Sequence, residues 1–249
     1  MNATRKPSAH LFYPKAGALA PYRPGAVPRK RVAAADAAGR AIVRLAGRKD
    51  YPCVAALRAV TAGEYRVGVY SAFGSGESSR ALGRDLSLFK AQQAESKSPY
   101  LTFWAVFDDA SELTEEEFES VMWKELSALS ASTPEAGRWD PKFSANPADK
   151  DFCFSFEGDA FFLVGMHPRS SRLARRFPFP AVVFNLYEQF EALGDGYDPL
   201  VRRIRRRDAL FSGSVNPVVE RWADRWESIQ FSGRDNPPDW KCPFRKGGA

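Results

Sequence analysis

Phe152, Phe154 and Phe156 alternate with Cys153 and Ser155, and a period of two places alternate side chains on one face of a β-strand. After a Glu157-Gly158-Asp159 turn, Ala160 to Met166 is almost continuously apolar. That run predicts a strand buried on both faces and central to a sheet. Tyr65 to Ala72, Tyr100 to Phe107 and Ala181 to Asn185 supply further strands, rich in aromatic and β-branched residues. Helical spacing marks Val32 to Leu45, Val54 to Ala59, a stretch from Ser78 or Ser79 to about Ala94, and Thr114 to Ala131. Thr114 and Glu117 have the spacing of a capping box. Shorter helices follow at Leu186 to Leu193, at Tyr197 to Leu210 with Asp198 and Pro199 at its start, and from Asn216 with Trp222 and Trp226.

His167 ends the Ala160 strand, and Pro168 lacks the N–H that would continue it. The expected continuation is a helix capped by Ser170 or Ser171, with Arg172 and Arg176 on one face beside Arg169 and Arg175. Such a face suits an anion, or simply solvent. The Phe152 to Met166 hairpin and the lack of a phosphate fingerprint after the first strand predict an α+β fold: a mainly antiparallel sheet covered by helices, in a single domain. Residues 1–31 mix Pro, Gly and basic residues without a period, which predicts a mobile arm. Ser132 to Asp151, with three prolines, is expected to be a long surface connection that covers a cleft.

The composition removes several function classes. Apolar residues make up 44% of the 249-residue chain, enough for a sizeable core. The net charge of +6 is spread along the chain without a reader motif, so nucleic acid is not an expected partner. No apolar run spans a bilayer and no secretory h-region opens the chain, so a cytoplasmic protein without membrane contact is expected. Cys53, Cys153 and Cys242 form no C-x-x-C pair, a usage that suits reduced thiols. Two histidines, His10 and His167, leave only metal sites that need one or two nitrogen or sulfur donors, or carboxylates. Cys53 sits at a predicted helix start, where the dipole raises thiolate character, unless it packs as a small buried hydrophobe. Gly74-Ser75-Gly76 looks like a phosphate-cradling turn, yet it fits neither nucleotide fingerprint. Asp108-Asp109 is expected to be a turn.

Longer segments carry a resemblance. YPCVAA at Tyr51, FSFEGDAFFLVGMHPRSSRLARRFPFPAVVFNLYEQFE from Phe154, IRRRD at Ile204, GSVNP at Gly213, and SGR followed by WKCPF at Trp240 resemble the YqcI/YcgG family from about Asp50 to Phe244. That family includes heme-dependent N-hydroxylases of guanidino amino acids. The resemblance therefore implies that residues 32–249 form a domain holding heme b. It implies an oxygenase acting on a guanidine or amine nitrogen of a small amino-acid-like substrate, with dioxygen and an external electron donor. A non-catalytic heme-binding or sensor protein is the alternative, and a homo-oligomer is left open.

Within that resemblance, His167 ranks first as axial donor, and the thiols of Cys242 and Cys53 are the alternatives. Arg169, Arg172, Arg175 or Arg176 would clamp a propionate, and Met166 would line the apolar faces. Asn185, Tyr187, Gln189 and Glu191 match a family motif expected near the substrate, with Glu191 suited to a guanidinium. Where relatives often carry histidine in F-N-x-H-x-Q-F-E, this chain has Tyr187.

Overall fold

The structure is a computed structural model and describes residues 8–96, 98–109, 112–192, 197–214 and 227–247. Its strands are β1 (Leu11–Lys15), β2 (Ala18–Pro21), β3 (Tyr65–Tyr70), β4 (Thr102–Phe107), β5 (Ser155–Phe156), β6 (Asp159–Met166) and β7 (Ala181–Leu186). They form one sheet in the order β2-β1-β3-β4-β7-β6-β5. Only β3 and β4 run parallel, and every other adjacent pair is antiparallel. The parallel pair needs a crossover, which α3 (Gly76–Ser96) supplies. The α+β fold with a mainly antiparallel sheet follows.

Both faces of the sheet are covered. Phe103, Ala105 and Phe107 of β4, with Val182 and Phe184 of β7, face a core closed by α3 and α4 (Glu115–Ser130). Trp104 and Val106, with Ala181 and Val183, face a second core under α1 (Arg29–Ala46) and α2 (Val54–Ala62). Period-two alternation thus feeds two cores at once, so every residue of β4 is buried. Thr114 Oγ1 accepts the Glu117 N–H at 3.2 Å and Glu117 Oε2 accepts the Thr114 N–H at 2.8 Å, closing the expected capping box on α4.

Several expectations differ from the structure. Residues 8–31 are not a loose arm: β1 and β2 form a hairpin along the edge of β3, with Leu11 opposite Gly68 and Phe12 opposite Val67. Its turn, Ala16-Gly17, has positive φ at both residues (49° and 81°), the backbone that matches the twist of paired strands. Leu11 and Phe12 are fully buried. Two apolar residues among prolines are too few to show a period. The central strand is β4, while β6 lies next to last, because β7 inserts between them.

After His167 there is no helix but a closed loop with a single 3-10 turn, Leu173–Arg175. The His167 N–H donates to Arg175 O and its carbonyl accepts from Phe177 N–H, so the loop returns onto its own start. The helix expected at Leu186 to Leu193 is one turn, α5 (Glu188–Glu191). The helix expected from Asn216 lies outside the described residues. Ser132 to Asp151 packs Trp139 and Phe143 against the first core, and its first residues, Ser132, Thr133, Glu135 and Ala136, line a cleft of about 420 Å³ beside α3.

The C-terminal segment crosses β6. The Gly165 N–H donates to Phe231 O at 2.6 Å, and a Cβ on Gly165 would lie 2.7 Å from the Phe118 ring and 2.8 Å from Phe231 O. Only glycine allows that approach. Ser232, Arg234 and Asn236 then converge on the buried carboxylate of Glu119.

Candidate functional site

On the second face of the sheet a cavity of about 220 Å³ opens between β4, β7, β6, α2 and α6 (Tyr197–Ser212). Its walls are mostly apolar: Ala56, Val60, Trp104, Val164, Val183 and Phe190 line it. The alternation of β6 decides which of its residues take part. Val164 and Met166 point to this side, whereas His167 is turned to the other, stacked on Phe118 with centroids 4.6 Å apart.

Cys53 is the N-cap of α2, and its Sγ accepts the Ala56 N–H at 3.4 Å. A helix N-terminus by itself would raise thiolate character there, but burial pushes the thiol pKa up and outweighs the helix amides. In the protein as described Cys53 is a neutral thiol on the cavity wall. Its turn is fastened from two sides. Tyr51 Oη donates to Ala174 O at 3.0 Å, and Arg207 Nε and Nη2 donate to Tyr51 O at 3.0 and 2.8 Å.

The arginines do not form a common face. Arg172 Nη2 is bound to Asp208 Oδ2 at 2.5 Å and to Ser214 O at 2.6 Å. Arg175 is partly buried, and its guanidinium donates to the carbonyls of Gly165, Phe231 and Gln230; burial lowers its pKa. Both line the cavity. Arg176 donates to Ser170 O and Arg169 to Glu112 O, away from it. Without a helix after Pro168, Arg172 and Arg176 lose the shared face.

The FNLYEQFE motif divides in the same way. Asn185 and Gln189 line the cavity. Asn185 is fixed by Thr102 Oγ1 at 2.9 Å and by Phe162 O at 3.2 Å, and Gln189 Nε2 donates to Leu101 O at 3.0 Å. Tyr187 instead stands against Phe143 and donates to Glu227 Oε1 at 3.1 Å. Glu191 is half-exposed and ion-paired with Lys142 at 2.6 Å. Neither lines the cavity, because a one-turn helix spaces successive side chains around its axis.

Cys242 lies by the first core, where burial pushes its thiol pKa up to about 12. His167 is buried and held neutral by burial, and Nδ1 has no partner among the described residues. Thus Cys53, Met166, Arg172, Arg175, Asn185 and Gln189 come together, whereas His167, Arg169, Arg176, Tyr187, Glu191 and Cys242 do not. Trp104, Tyr51, Arg207 and Asp208 belong to the site and were not expected there. IRRRD was the signal for Arg207 and Asp208, YPCVAA the one for Tyr51, and Trp104 carried none beyond its place in a strand.

The Gly74-Ser75-Gly76 turn is already filled from within. Glu125 Oε2 accepts from Gly74 N–H and Ser78 Oγ, both at 2.7 Å, and Oε1 accepts from Ser79 Oγ at 2.9 Å. A protein carboxylate takes the place that an anion would occupy at this helix start. Among the described residues no three His, Cys, Asp or Glu side chains gather as metal ligands, and no helix is long and apolar enough to cross a membrane.

Comparison with known proteins adds sequence relatives. The chain is 25% identical over 209 residues to the uncharacterized protein YqcI of Bacillus subtilis (strain 168), an alignment covering 79% of this chain and 81% of that protein. No solved structure matches. The model of the YqcI/YcgG family matches residues 40–245, a range that runs from α1 through the cavity walls to the C-terminal segment, and the chain belongs to that family.

Proposed function

We propose that this chain is a heme-dependent oxygenase that transfers oxygen to nitrogen in a small substrate, and that the cavity beside Cys53 is its reaction site. The carrying observation is the position of the Cys53 thiol at a helix N-terminus on the wall of an apolar cavity. Thiolate is an established donor to heme iron, and iron bound there would favour the deprotonated thiol in spite of its raised pKa. The donor chemistry fits the group: one soft donor, apolar walls from Val164, Val183 and Phe190, and the guanidiniums of Arg172 and Arg175 for carboxylates. The volume of about 220 Å³ is below the roughly 300–1,000 Å³ of pockets for drug-sized ligands. A macrocycle is therefore larger than the cavity as it stands.

When bound, such a group supplies dioxygen activation. The chain's own residues do the rest. Cys53 would hold the iron, Arg207 and Tyr51 hold the turn that carries it, and the apolar walls exclude water. His167 is turned away from this cavity, so it has no direct role in the reading. The three free cysteines support a reducing compartment, and we place the protein in the cytoplasm.

Titrating the purified chain with hemin tests the reading. Saturable binding with a Soret band is expected, and Cys53→Ser is expected to change that band and weaken retention. His167→Ala and Cys242→Ser should leave the ligation signature in place. A band indifferent to Cys53→Ser would overturn the assignment of the thiol. Reduced, loaded protein given dioxygen and a panel of amines should yield products heavier by one oxygen; a sensor would yield none.

A further inference from the structure

Gln189 is 8% exposed and lines the cavity. Its amide cannot be flipped. Leu101 O is only an acceptor, so the NH2 group must face it, at 3.0 Å. That orientation leaves Oε1 with solvent-accessible surface and no hydrogen-bond partner among the described residues. The neighbouring Asn185 amide, by contrast, is spent at both ends on Thr102 and Phe162. An uncharged acceptor therefore stands unpaired on a wall otherwise built from Phe162, Val183 and Phe190.

The charge around it is mostly positive, from Arg172, Arg175 and Arg205. Asp208 is the only acid among the described lining residues, and Arg172 and Ser212 already hold its two oxygens. Arg175 is partly buried, with its hydrogen bonds on neutral carbonyls and no carboxylate bonded to it among the described residues. Glu191, the carboxylate that would suit a guanidinium, is bound to Lys142 outside the cavity. A cationic ligand entering here would meet like charge and would lose its hydration without a free counter-ion among the described residues.

We infer that the cavity selects an uncharged, largely apolar ligand that donates one N–H to Gln189 Oε1, such as an arylamine, a primary amide or an N–H heterocycle, and rejects guanidinium ions. Gln189 is then the specificity-determining residue. That this ligand is the substrate rests on the oxygenase reading; that it binds here does not. Guanidines and alkylamines are protonated at neutral pH, whereas arylamine and heterocyclic N–H groups are not, so the electrostatics choose among nitrogen compounds.

The test uses the full-length purified chain and two probes that differ in one donor, indole and 1-methylindole, with agmatine as the guanidinium probe. Calorimetric affinities are expected to favour indole by roughly five- to tenfold, with no saturable binding of agmatine. Gln189→Leu should abolish the preference between the indoles by weakening indole alone. Gln189→Glu should bring in agmatine binding. Equal affinity of the two indoles for the native chain, tighter binding of agmatine, or failure of all three probes to bind would overturn the inference. The native-chain comparison decides the matter even if a variant does not fold. Hemin titration run in parallel separates the two proposals: discrimination without a Soret band sinks the oxygenase reading alone, and a Soret band without discrimination sinks this one alone.

Discussion

Glu125 illustrates what one buried residue does to the whole. Burial pushes its carboxyl up to about 7 from 4.5, against the hydrogen bonds from Ser78, Gly74 and Ser79 that favour the charged form. The folded protein then holds a proton on Glu125 that the unfolded chain releases between pH 4.5 and 7. Stability from this group is fully present below about pH 4.5 and is lost as the pH rises through about 7. Glu125→Gln stays neutral throughout and removes this slope. Its stability relative to the native chain should improve by roughly 2–3 kcal/mol between pH 4.5 and pH 8. Denaturant unfolding at the two pH values measures this, and a difference that does not change with pH would contradict it.

At the scale of elements, α6 acts as a clasp. Arg207 reaches the carbonyls of Lys49 and Tyr51, and Asp208 holds Arg172. Together they join α6 to the Cys53 turn on one side and to the loop after His167 on the other. The guanidinium fork serves two carbonyls at once, which a lysine does not reproduce. Arg207→Ala should destabilise the protein by roughly 1–3 kcal/mol, the range for hydrogen bonds that involve a charged group. Arg207→Lys should recover little of the loss. Thermal unfolding, with hydrogen exchange at the amides of Ala55 and Ala56, checks both points. Unchanged exchange at those amides would mean that α6 does not hold the turn.

For the whole molecule the critical contact is between the N-terminal hairpin and β3. The hairpin lies before the residues matched by the family model, yet it covers the open edge of a seven-stranded sheet. Leu11 is fully buried in the core under α3, and Phe12 in the one under α1. Leu11→Ala should cost roughly 2–4 kcal/mol, as other large-to-small core changes do. Deleting residues 1–21 should expose the β3 edge to pairing with other copies. Chemical denaturation reports the first effect and size-exclusion chromatography the second; a monomer of native stability after the deletion would show that the hairpin is dispensable.

Local pattern was enough for much of the fold. The alternation in β3, the aromatic and β-branched runs of β4 and β7, the stripe of α3 and the Thr114 capping box are short-range properties, and each formed where the sequence placed it. The motifs of the candidate site were legible too, since YPCVAA, FNLYEQFE and IRRRD all contribute to the cavity. Tertiary structure decided the rest. A period of two says that Met166 and His167 face opposite ways but not which side holds the cavity; that depended on where α2 and α6 packed. The partners of Arg175 and Arg207 are backbone carbonyls on other elements, and any residue can offer a carbonyl, so no side-chain pattern announces them. The hairpin at Leu11 was hidden for a related reason: its few apolar residues become a strand only when the edge of β3 satisfies their backbone groups.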